Sequence, residues 1–158
     1  VAQRGVAPAV GVTVMVLVTV VLAALVGGMF FGLGLDDPPE AAITADAERV
    51  GTDGTQVDLV HVNGDTLDVT TLVIRVAVNG EFLAHQPTVP ATGMVGYDGT
   101  PDGPFNAGSA DHEWSAGETA GFEIAETTNT PQPAVGDRIT VRIFVDGYSV
   151  AAVETTVR

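Results

Sequence analysis

The chain has 158 residues, a mass of 16.2 kDa and a net charge of −14, with 20 acidic residues against six arginines and no lysine. It has no cysteine, which excludes a disulfide framework, a cysteine zinc site and a thiol nucleophile. So acidic a chain is a poor match for nucleic acid, whose phosphates need a basic partner.

The apolar share is nonetheless 46%, so apolar and acidic residues must occupy different stretches. The boundary falls at Leu35/Asp36. Gly5–Leu35 is a run of 31 residues without a charge, and residues 36–158 hold all 20 acids and five of the six arginines, a net −15. A helix of that run reaches roughly 45 Å, enough to cross a bilayer that needs about 20 helical residues. A cleaved secretory signal has a shorter apolar region, so the run reads as retained. Val10–Val26 is valine- and leucine-rich on every side, and such a helix must be covered by lipid or protein. β-Branched residues also suit strands, but strands rarely exceed ten residues. Pro8 is tolerated if the helix begins close to it and kinks the helix if it begins earlier.

Packing against neighbouring helices is expected along Val10, Val14, Leu17, Val18, Val21, Leu22, Leu25, Gly28, Phe31 and Gly32. Gly28-Met-Phe-Phe-Gly32 matches the small-xxx-small pattern that allows close helix approach. Asp36-Asp-Pro-Pro-Glu40 stops the helix, because Pro38 and Pro39 cannot continue it. The expected organisation is a helix over 1–35, a proline hinge over 36–40 and an acidic head over 41–158.

The head reads as strands. Leu72–Val78 places Leu72, Ile74, Val76 and Val78 on one face, and Arg138–Val145 does the same with Ile139, Val141, Ile143 and Val145. Asp146-Gly147 then predicts a tight hairpin into Tyr148–Val157. Weaker strand signals lie at Ala41–Val50, Gln56–Val62, Gly80–Ala84 and Thr119–Ala125, with turn signals at Asn63-Gly-Asp and Val78-Asn-Gly. No amphipathic helical period follows residue 40. Six to eight short strands predict an all-β, immunoglobulin-like β-sandwich. Gln86–Trp114, with four prolines and five glycines, reads as a long surface loop.

Catalytic patterns are missing. His61, His85 and His112 lack metal-ligand spacing. Asp111-His112-Glu113 reads as solvated loop, since three consecutive residues cannot face one point. Asp98-Gly-Thr-Pro-Asp102-Gly reads as an acidic turn rather than a calcium loop. Ser109, Ser115 and Ser149 suggest no nucleophilic set. No catalytic, cofactor or metal site is expected, and the chain does not read as an enzyme.

Arg4-Gly-Val-Ala-Pro8-Ala-Val-Gly11-Val12-Thr-Val-Met15, running on to Val26, resembles the start of haloarchaeal type IV pilins. In that family a Ser-Pro-x-x-Gly-Val run opens a long apolar helix ahead of a β-rich domain. Pro8, Gly11 and Val12 match, whereas Ala7 replaces the usual serine. His61-Val-Asn-Gly-Asp-Thr-Leu67, Trp114-Ser-Ala-Gly117 and Gly136-Asp-Arg-Ile-Thr-Val141 are similar to segments of those pilins' heads. Archaellins are related but open differently, and bacterial pilins usually carry a glutamate early in the helix. The resemblance implies a charged leader removed by a prepilin peptidase, with Val1 near the processed terminus. It also implies an assembly machinery, storage in the cytoplasmic membrane and a final place in an extracellular, adhesive filament of identical copies.

Three readings follow: a filament subunit of a pilus or, second, an archaellum; a membrane-anchored surface domain that binds a ligand; and an anchored or secreted enzyme. The excess of Asp over Glu, 12 to 8, and the absence of lysine fit work in high salt. Salt shortens the Debye length from about 30 Å at 0.01 M to about 3 Å at 1 M, weakening self-repulsion in the −15 segment. The melting temperature of the chain in non-ionic detergent is therefore expected to rise by several degrees over that range. A flat or falling curve from calorimetry would contradict a repulsion-limited head.

Overall fold

The computed structural model describes residues 6–31, 38–52 and 54–158. Contacts divide the chain into two units, Val1–Asp37 and Pro38–Arg158. The first holds one helix, α1 (Val6–Phe31), about 39 Å long at 1.5 Å per residue. Pro8 is its third described residue, within the first turn, where a backbone N–H has no intrahelical acceptor. The expected continuation to Leu35 lies outside the described residues.

The second unit contains β1 (Ala41–Val50), β2 (Gly54–Gly64), β3 (Leu67–Asp68), β4 (Leu72–Val78), β5 (Glu81–Phe82), β6 (Tyr97–Asp102), β7 (Glu113–Trp114), β8 (Thr119–Ala125), β9 (Arg138–Val145) and β10 (Tyr148–Thr156). Their ladders are all antiparallel. One sheet has the order β1-β2-β8-β6, a second β10-β9-β4-β5, and β3 pairs with β7 alone. In the lettering of immunoglobulin strands the first order is A-B-E-D and the second G-F-C with one further edge strand. The fold is an apolar helix followed by an all-β sandwich, as the sequence predicts.

Alternation explains both sheets. Ile74 and Val76 of β4 and Ile139, Val141 and Ile143 of β9 are buried. They meet Val57 and Leu59 of β2 and Phe122 and Ile124 of β8 in one core. Charged and polar residues between them point outward, the period-two pattern of a half-buried strand. The hairpins use the expected turns. Asn79-Gly80 joins β4 to β5 and Asp146-Gly147 joins β9 to β10, all four with positive φ, which matches the twist of a two-residue hairpin. On one side, residues 47–49 and 158 close the sandwich: Arg49 N–H donates to the Arg158 carbonyl (2.9 Å) and Arg158 N–H to Ala47 (3.0 Å).

Two expectations are corrected. Gln86–Trp114 is not simply a surface loop. It contributes edge strand β6, strand β7 and the buried side chains of Val89, Tyr97, Phe105 and Trp114. Asp98–Asp102 is not a turn but the irregular part of β6, with Asp98 opposite Glu123 and Asp102 opposite Gly121. An edge strand tolerates Pro101 because its outer N–H needs no ladder partner, and the bulge and proline blunt the edge against further pairing.

The chain enters the head at a fixed point. Glu40 N–H donates to the Asp65 carboxylate (3.1 Å) and Asp65 N–H to the Glu40 carbonyl (2.8 Å). Gly64 has φ +116°, and a Cβ there would lie 2.2 Å from the Glu40 carbonyl oxygen. Both the backbone conformation and the approach demand glycine. Gly64→Ala is expected to cost the head about 1–3 kcal/mol by urea or thermal unfolding. An unchanged midpoint would mean that this clamp is slack.

Candidate functional site

The distinguishing surface is α1. None of Ala9–Gly28 is buried. Val10, Val14, Leu17, Val18, Val21, Leu22 and Leu25, all expected in helix packing, are 48–63% exposed. Val10, Val14, Leu17, Val21 and Gly28 follow one line at spacings i, i+4, i+7, i+11 and i+18. Residues on other sides are no different: Met15 is 73%, Val16 58% and Val20 61% exposed. The geometry therefore singles out no face, and every side of the rod needs cover.

Two polar side chains lie within Val10–Val26, and both are satisfied internally. Thr13 Oγ1 donates to the Ala9 carbonyl (2.9 Å) and Thr19 Oγ1 to Met15 (2.8 Å). This back-bonding leaves no hydroxyl needing water, so α1 presents an apolar surface compatible with lipid or with other helices.

The motif residues sit at the start of α1. Pro8 lies in its first turn, Val12 is exposed, and a Cβ at Gly11 would meet nothing within 4 Å. The same holds for Gly27 and Gly28. Among the described residues no contact accounts for these glycines, although glycine costs a helix about 1 kcal/mol relative to alanine. Phe31 ends the described helix. Gly32 lies outside the described residues, as do the acids of the 36–40 segment before Pro38. Pro38 and Pro39 precede β1 in non-helical chain.

The head's candidate residues take part in core and turn contacts. His61, expected to be partly buried, is wholly buried on β2. Its Nδ1 lies 3.0 Å from the Trp114 carbonyl oxygen and its ring meets the Trp114 ring edge-on at 5.5 Å. His61 N–H donates to the Glu118 carbonyl (3.0 Å), and Gly117 N–H to His61 (2.7 Å). The segments His61–Leu67 and Trp114–Gly117, distant in sequence, thus form one cluster that includes the Leu67–Trp114 pairing. Phe105 also meets the Trp114 ring edge-on, at 5.1 Å.

Asp111-His112-Glu113 does not converge. His112 has φ +53° and uses its carbonyl to accept the Val69 N–H (2.9 Å). Among the described residues no three histidine or carboxylate groups gather at a metal-sized point. Thr70 donates both its hydroxyl and its N–H to Asp68, holding that carboxyl below the usual range. The Asn79 amide and the Ala134 N–H do the same for Asp137. Burial pushes the Tyr97 phenol up, and its hydroxyl donates to the His85 carbonyl (2.9 Å). These are turn and core contacts.

No family model matches the chain. Over 80 residues it is 38% identical to an uncharacterized protein of Archaeoglobus fulgidus, covering 50% of this chain and 55% of that one. The chain thus spans just over half the length of that relative. It also superimposes on a chain from the solved archaeal flagellum of Methanospirillum hungatei strain JF1. The TM-score is 0.43 at 15% identity, over 98% of this chain and 94% of that one. Neither likeness shows a family.

Open space around Gly28 yields a direct check. Gly28→Leu is expected to leave helix content and membrane insertion intact, because leucine has the better helix propensity. Any functional loss would then arise between molecules. A drop in helicity by circular dichroism in detergent would instead give Gly28 a role within the chain.

Proposed function

We propose that this chain is the structural subunit of an archaeal type IV pilus-like extracellular filament. Its helices pack together in the interior, and its acidic heads coat the outside. The observation that carries the reading is a helix exposed and apolar on every side, with its two interior hydroxyls already satisfied. Gly11, Gly27 and Gly28 have open space beside them among the described residues; glycine is common in any membrane helix, but close approach of a second helix gives these a use. The resemblance carried by Pro8, Gly11 and Val12 supports the same reading.

In this account the newly made subunit is held in the cytoplasmic membrane by α1, after a prepilin peptidase removes a leader. An assembly machinery then moves the helix from lipid to neighbouring copies. Apolar area contributes little to that exchange, because lipid tails are as apolar as leucine. Close packing at small residues has to favour it. Against water the helix is trapped: about 20 side chains, each hiding roughly 100 Å², amount to about 50 kcal/mol per subunit. Such a filament would not shed subunits into solution. One patch binding a different patch on the next copy builds an open helix rather than a ring. Pro38 and Pro39 act as the hinge between helix and head, and the exposed heads make adhesive contact.

Electron microscopy of material sheared from cells making the chain tests the reading. Filaments containing it are expected, and Val18→Asp is expected to abolish them. A mid-helix aspartate costs about 2.5–3.5 kcal/mol on insertion scales, which so apolar a helix can absorb, so membrane levels should persist. Normal filaments from Val18→Asp, or a chain found only as a detergent-extracted monomer, would overturn the packed-helix reading. The latter would favour an anchored surface domain.

A further inference from the structure

The outer faces of the sandwich are opposite in charge. On the β10-β9-β4-β5 sheet, Arg75 stands directly opposite Arg142 across β4 and β9, and Arg138 follows on the same face. All three are exposed, and among the described residues none forms an ion pair. Arg49 and Arg158 are by contrast paired, to Glu126 and Asp46. Within the paired rows of that face the carboxylate is Glu154, which accepts from Thr140 (3.4 Å). At the rim Asp137 is tied to Asn79 (2.8 Å). Phe82, 55% exposed, and Arg138 and Arg142 border a groove of about 590 Å³.

The β1-β2-β8-β6 sheet carries the reverse. Its register aligns Glu48, Gln56, Glu123 and Asp98 in one row, and Asp46, Asp58, Gly121 and Asp102 in the next. Their neighbours Ala47, Val57, Phe122 and Tyr97 are buried, so both rows face outward. Gln56 eases the crowding by donating to Asp58 (2.8 Å) and Asp102 (3.3 Å). Still, Asp46 opposes Asp58 and Glu123 opposes Asp98.

Like charges directly opposite each other destabilise a sheet, and here both signs are so arranged, on separate faces. In a chain with 20 acids, leaving three arginines together and unpaired makes physical sense if the carboxylates arrive from outside. We propose that the arginine face of one head docks onto the carboxylate face of the next copy. The occupant is a second copy because the same molecule displays the complementary charge on its other outward face. Such a contact is heterologous and repeats without closing on itself. Arginine suits it, since its planar fork meets carboxylates in bidentate pairs. The proposal deepens the filament reading, resting on it only for the supply of neighbouring copies.

The absence of cysteine permits a clean test on the full chain. Gln56→Cys and Thr140→Cys place one thiol on each outer face. Sheets stack about 10 Å apart and these side chains point away from each other, so no bridge can form within a molecule. Under mild oxidation of sheared surface material, or of the full chain in phospholipid vesicles, the double variant is expected to give a ladder of dimers, trimers and higher species. Either single variant should stop at dimers. Adding Arg75→Glu and Arg142→Glu is expected to cut the ladder at least about tenfold. Asp58→Arg and Glu123→Arg, made instead in the chain that keeps its arginines, are expected to cut the ladder in the same way, because arginine then meets arginine.

Filaments in the micrographs with no ladder overturn the face-to-face contact and leave the filament standing. A ladder in vesicles without filaments keeps the contact and removes the filament. A ladder indifferent to Arg75→Glu and Arg142→Glu, or one indifferent to Asp58→Arg and Glu123→Arg, overturns the charge-matched contact.

Discussion

Everything distinctive about this chain follows from one demand: a 26-residue helix without an ionisable side chain must keep its whole circumference away from water. A helix of a soluble domain has one apolar stripe and meets the demand with its own core. Here the head already has a closed core of its own, made from two sheets whose inner faces satisfy each other. Neither sheet needs the helix to complete that core. Lipid can cover the helix from all directions at once, and so can a crowd of identical helices. What separates the two is the tightness of the fit, and that makes the small residues of α1 more informative than the large ones. Valine and leucine are equally at ease in either setting. Three helical glycines with open space beside them have a use where another backbone comes near.

The sequence made most of the fold legible, through alternation. β4, β8 and β9 have the expected bounds because each sets an apolar residue inward at every second position, and β1 does so from Ile43 to Ala47. The strands that were missed or misjudged are those whose reasons lie elsewhere in the chain. β6 looks like a turn because Asp98-Gly-Thr-Pro-Asp102 is made of turn residues. It forms because β8 offers an edge and Tyr97 has a place to be buried against Phe122, 5.5 Å away. His61 is polar and yet wholly buried, since Trp114, 53 residues later, brings both a carbonyl and an aromatic edge to it. Neither fact is local, so neither leaves a local signature.

The candidate site shows the opposite limit. The apolar rod is plain from the sequence, yet which side of it faces which neighbour is not, and the structure of one chain does not single out a side either. A period can point only when some positions differ from others, and Val10–Val26 offers almost no contrast. The charge segregation of the head was hidden for another reason. The alternation of acids on β1 and β2 is visible residue by residue, but that Asp46 stands beside Asp58, or Arg75 beside Arg142, is a property of register. Register emerges from the pairing of inward side chains, since a slip of one residue would turn the core outward. The acidic rows are thus held in place by the apolar residues between them.

The two surfaces answer to different physics, and that difference divides their labour. Packing of apolar helices is almost indifferent to ionic strength, whereas charge pairs between exposed faces weaken as salt shortens the reach of each charge. A polymer held by the helices alone would be durable, yet close packing of apolar helices does not say which face of a head meets its neighbour. Heads that met arginine face to carboxylate face would specify that, since only one approach matches opposite signs and the others set like charges together. Charge need contribute little to cohesion in such an arrangement. Its effect would be on which faces meet, and the register of the two sheets, held by the inward side chains, fixes where those charges stand.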